Sequence, residues 1–73
     1  YLLQVASLAT KQDAQRLVSQ LMLLGYDSFI QSHLGHSVHY YRVIVGPFDT
    51  LSLAEKERHQ LQSRFSETFV IKS

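Results

Sequence analysis

The hydrophobic positions switch period along the chain, and each switch marks an element. Tyr1, Leu3 and Val5 alternate with Leu2, Gln4 and Ala6, which predicts a strand over residues 1–7. Ala14, Leu17, Val18, Leu21 and Leu24 then recur at the spacing of one helix face. Thr10 is placed to cap that helix, Asp13 suits the positive end of its dipole, and Gly25 follows as a C′ residue. A second strand is expected over residues 27–32. His33-Leu-Gly-His-Ser37 then reads as a hairpin loop, with Gly35 expected to supply a positive φ.

The second half predicts the same elements again. A strand over residues 38–45 stops at Gly46-Pro47, since proline cannot donate to a ladder. A second helix starts from a cap at Thr50 or Ser52 and runs to about Arg64; Ser52-x-x-Glu55 has capping-box spacing. Its apolar stripe is thin, consisting of Ala54, Leu61 and Phe65, so this helix is expected to be the more exposed. A last strand covers residues 68–72. The halves align 40 residues apart: Tyr1 lies over Tyr41, Thr10 over Thr50, Ala14 over Ala54, Leu21 over Leu61, and Phe29-Ile30 over Phe69-Val70. Two strand–helix–strand units predict an α+β, βαββαβ ferredoxin-like fold, a four-stranded antiparallel sheet with both helices on one face. The other face is left open for binding.

Alternation assigns the faces. With Leu3, Val5, Val43 and Val45 against the helices, Leu2, Gln4, Ala6, Tyr40, Arg42 and Ile44 are expected on the open side. With the first and third strands as central neighbours, Gln4, Tyr40 and Arg42 gather in one patch. An aromatic ring, an amide and a guanidinium on a flat sheet suit a polyhydroxylated or planar ligand. The same pattern also describes ordinary solvent-facing strand residues.

Composition narrows the chemistry. Seventy-three residues make one domain, expected to span residues 1–73 and, since Tyr1 already lies in a predicted strand, to be excised from a longer protein. A hydrophobic fraction of 45% with 18% charged residues is globular, and a net charge of +1 gives no electrostatic reason to expect nucleic acid. The absence of cysteine removes disulfides and thiolate metal sites. His33, His36 and His39 are spaced three apart across a predicted loop with no acidic partner nearby, so a solvated hairpin explains them better than a metal site. Asp13, Asp27, Asp49, Glu55, Glu57 and Glu67 are scattered over caps and turns, with no paired carboxylates or nucleophile–base set. The domain is expected to be neither an enzyme nor a cofactor binder.

Three stretches resemble a SPOR domain, the sporulation-related repeat of bacterial envelope and cell-division proteins, including those similar to FtsN. They are Tyr1-Leu-Leu-Gln4-Val5-Ala6-Ser7, the Ala14…Leu21…Gly25 helix, and Tyr41-Arg42-Val43-Ile44-Val45-Gly46-Pro47-Phe48 followed by Ala54 and Leu61. Many members read V-Q-x-G-S/A-F in the first strand, where this chain has Ala6 and Leu8 for the glycine and phenylalanine. The resemblance implies a peptidoglycan-binding module that prefers glycan strands stripped of stem peptides and targets its parent to the division septum. It implies a location in the bacterial periplasm or cell envelope, with any membrane anchor in other parts of the parent. It implies Gln4, Ser7, Tyr40, Arg42 and Phe69 as the glycan-binding residues. The isolated domain is expected to be a monomer that does not bind nucleic acid.

The same topology leaves two other readings open. One is an RRM-like RNA-binding sheet, although strand three lacks the K/R-G-F/Y-G/A-F-V-x-F/Y signature. The other is a ferredoxin-like protein-interaction or dimerisation module.

Overall fold

Two threonines start the helices. In the structure, a computed structural model that describes residues 1–72, Ser73 lies outside the described residues. The Thr10 hydroxyl accepts from the Asp13 N–H at 3.2 Å, and the Thr50 hydroxyl accepts from the Leu53 N–H at 3.2 Å. Thr50, not Ser52, is therefore the second cap. The elements run β1 (Leu2–Leu8), α1 (Lys11–Leu23), β2 (Ser28–Leu34), β3 (His39–Val45), α2 (Leu51–Gln62) and β4 (Phe69–Ile71). They form one antiparallel sheet ordered β2-β3-β1-β4, with β1 and β3 central as the repeat predicts.

Ala14 and Ala54 occupy equivalent places in the first turn of each helix and are fully buried. A methyl side chain there lets each helix lie close on the sheet. Leu17, Leu21 and Leu61 complete the helix side of the core, against Leu3, Val5, Val43 and Val45. α1 buries three residues and α2 two, so the second helix is the more exposed one, as its thin stripe predicts. Gly25 ends α1 with φ +91°, a conformation in which a side chain would be strained. β3 stops at Gly46-Pro47.

The structure corrects five expectations. The β2–β3 hairpin is longer and its turn tighter: β2 continues to Leu34, so His33 belongs to a strand and not to the loop. The positive φ in that turn falls on Ser37 (+66°), not Gly35. Gly35 instead leaves room for the Tyr40 ring, which would have to shift for a Cβ there, since that atom would lie 2.7 Å from its Cε2. α2 ends at Gln62, two residues early, and β4 is three residues long. Thr68 fixes the entry to β4, its hydroxyl donating to the Phe65 carbonyl at 2.7 Å and its carbonyl accepting from Gln62 Nε2 at 3.1 Å.

The fifth correction matters most for the site. β1 is bulged: Leu3 pairs with Val45 and Gln4 with Ile44, but the next pair is Ala6 with Val43, followed by Ser7 with Arg42. Val5 is the extra residue. Both Val5 and Ala6 thus oppose Val43 on the helix side, where Val5 is buried and Ala6 packs against the core. Ala6 leaves the open face. The inversion of alternation beyond the bulge puts Ser7 there instead. The bulge follows directly after Gln4–Phe69, the last pair of the short β1–β4 ladder.

Candidate functional site

Register across the four strands sorts the open face into rows. One row runs through every strand: Phe29 of β2, Ile44 of β3, Gln4 of β1 and Phe69 of β4. Two residues further along β3, the next row is Gln31, Arg42 and Ser7. Two residues further again, His33 pairs with Tyr40. On the opposite side of the phenylalanine row, Leu2 pairs with Ile71. Successive rows lie ~7 Å apart along the strands.

The phenylalanine row has a shape. Ile44 points away from the helices, yet only 1% of its surface is exposed, while Phe29 and Phe69 at the sheet edges are 42% and 48% exposed. The flanking side chains therefore close over Ile44, so this row presents to solvent the rings of Phe29 and Phe69 at its edges, with Gln4 between them. Such an arrangement can hold the apolar face of a ring lying over the sheet. The next row is polar. Arg42 has no carboxylate partner among the described residues: the ion pairs there are Arg16–Asp13 and Arg58–Glu55, both within helices. Its donors remain available to a ligand, beside the Gln31 amide and the Ser7 hydroxyl. In the last row the His33 and Tyr40 rings lie nearly parallel, with centroids 6.1 Å apart and planes 18° apart.

All five residues expected at the site, Gln4, Ser7, Tyr40, Arg42 and Phe69, lie on this one face. The β2 contribution, Phe29, Gln31 and His33, is absent from that set. Its signal was present: Phe29 aligns with Phe69 in the repeat, and the two rings sit at opposite edges of one row. Ile44 was assigned to the right face, but its burial there depends on neighbours that only the folded sheet brings together.

A separate cleft of about 270 Å³ opens at one end of the sheet, lined by Tyr26, Asp27, Phe48 and Glu57 among others. Burial, followed by the nearby Glu57 carboxylate, pushes the Tyr26 hydroxyl above its ordinary pKa. None of the five expected site residues lines this cleft. Among the described residues, no three His, Cys, Asp or Glu side chains are grouped to hold a metal ion. No helix there is long and apolar enough to cross a membrane.

Comparisons with known proteins agree with this geometry. The family model of the SPOR domain matches residues 1–72. The chain is similar in structure to the RlpA SPOR domain from Pseudomonas aeruginosa, with a TM-score of 0.85 over 99% of this chain and 97% of that one. At 19% identity, that likeness speaks for the fold alone. No curated protein matches the chain. With the family matched over all but the last residue and the βαββαβ sheet in place, the chain belongs to the SPOR domain family, a family of peptidoglycan-binding modules.

Proposed function

We propose that this domain binds glycan strands of peptidoglycan stripped of their stem peptides, and that it carries its parent protein to the division septum in the bacterial periplasm. The observation that supports this reading is the ordered open face. Gln4 and Phe69 share one row, Ser7 and Arg42 the next, and Tyr40 the last, all on the side that the helices leave uncovered. Phe29 and Phe69 offer exposed aromatic rings to sugar rings, and Gln4, Arg42, Ser7 and Gln31 offer hydrogen bonds to the hydroxyl and acetamido groups.

The role is binding, not catalysis. Among the described residues, the six Asp and Glu side chains lie in helices, turns or connecting segments, none of them on a strand. The face thus brings no carboxylate pair to a glycosidic bond.

Cosedimentation with sacculi tests the reading. The domain should pellet with amidase-treated sacculi several-fold more than with untreated ones. Equal recovery from both would remove the preference for bare strands, and recovery from neither would remove the glycan.

A further inference from the structure

The ionisable groups of the open face are few and of one sign. Among the described residues, no strand contains Asp or Glu. Among them, Arg42 is the single Lys or Arg within a strand. His33 is the other side chain on this face that can take up a positive charge near neutral pH, since histidine changes charge between about pH 5 and 8. Because His33 pairs with Tyr40, it stands diagonally across from Arg42, ~7–8 Å away along the backbone.

The other hairpin histidines are directed elsewhere. His39 pairs with Leu34 and stacks on Tyr41, with centroids 5.9 Å apart, and Tyr41 packs against the core on the helix side. His36 lies in the turn. The groups facing His33 are Tyr40 and, diagonally, Arg42, together with its own strand neighbour on that face, Gln31. None of them is an acid that would neutralise an imidazolium. The Tyr40 ring supports it, as an aromatic face attracts a cation.

We propose that His33 is a specificity-determining residue, which together with Arg42 recognises a carboxylate on the glycan. This rests on the glycan reading above and gives it a chemical cause. In intact peptidoglycan the lactyl carboxyl of each muramyl residue is tied up as an amide to the stem peptide. Hydrolysis of that amide leaves a free carboxylate. A stripped strand therefore differs from an intact one not only in bulk but by a carboxylate carried directly on the sugar's lactyl group at each released position. Two cations side by side on a face without acids select for that charge.

The test is equilibrium binding of purified denuded glycan strands at low salt, at about pH 5 and pH 8. A carboxylate stays ionised over this range, so the change in charge falls on histidine. The wild-type domain should bind about two- to fivefold tighter at the lower pH, the strength of an exposed ion pair. Strands whose lactyl carboxyls have been reduced to alcohols should show no such gain. His33→Ala should abolish the gain, His33→Lys should bind at both pH values as the wild type does at the lower one, and His39→Ala should keep the gain. A gain that survives in His33→Ala or with reduced strands overturns the proposal, as does wild-type binding that is equal at both pH values. Failure of the strands to bind at either pH overturns the glycan reading itself.

Discussion

At the scale of single residues, the two sides of the sheet should answer differently to mutation. Leu21 is fully buried among the core residues, and removing such a side chain costs roughly 2–5 kcal/mol. Arg42 lies opposite, partly exposed, without an ion-pair partner among the described residues. Loss of its guanidinium breaks no internal contact of that kind, while hydrogen bonds to a charged group are worth about 1.5–3 kcal/mol. Arg42→Ala should therefore weaken binding to denuded glycan by about tenfold or more. Its unfolding free energy should stay within about ±0.5 kcal/mol of the wild type. Titration with denuded strands and a urea melt on the same preparation measure both quantities. A variant that loses stability in step with affinity would mark Arg42 as structural.

At the scale of elements, the bulge in β1 decides which residues reach the site. Both Val5 and Ala6 oppose Val43, but Val5 is buried and Ala6 is only partly so. Deleting either one restores one-to-one pairing and leaves Ser7 opposite Arg42. The two deletions differ in what faces Val43: valine in one case, alanine in the other. At ~0.8 kcal/mol per buried methylene, deletion of Val5 should cost about 1.5–2 kcal/mol more than deletion of Ala6. Paired denaturation curves check this, and equal losses would mean that the bulged register is wrong. The bulge also marks where the sequence stops being legible. Thr10, Ala14 and Leu21 with their counterparts Thr50, Ala54 and Leu61 reveal the helices, because caps and stripes are local signals. Strict alternation finds Gln4, Tyr40 and Arg42 on the correct face but carries Ala6 along with them. An extra residue leaves no mark in the hydrophobic pattern when both bulge residues, Val5 and Ala6, are apolar. Ser7 was found by its resemblance to the family, and only the register explains how it reaches the face. The sequence puts His33 in a loop because a hairpin glycine ordinarily turns the chain, whereas Gly35 makes room for the Tyr40 ring.

At the scale of the whole molecule, charge separates a sugar ligand from a nucleic acid. The net charge is +1, and the seven Lys and Arg residues are spread over helices, turns and one strand position. A phosphate backbone needs several cations along one track, and neutralising many phosphates makes affinity fall by ~10³ or more between 50 and 200 mM salt. The open face offers Arg42 as its permanent cation, beside Gln4, Gln31, Ser7 and three exposed aromatic rings. Stacking and neutral hydrogen bonds dominate such a face, and salt screens neither strongly. Binding to denuded glycan should thus fall by no more than about tenfold over the same salt range, the remainder of a one- or two-charge contact. Tyr40→Ala should reduce affinity at every salt concentration without changing that slope, since it removes a ring and not a charge. A parallel titration with homopolymer RNA completes the measurement. Tight RNA binding at low salt, combined with loss of the glycan at physiological salt, would turn the assignment toward an RNA-binding sheet.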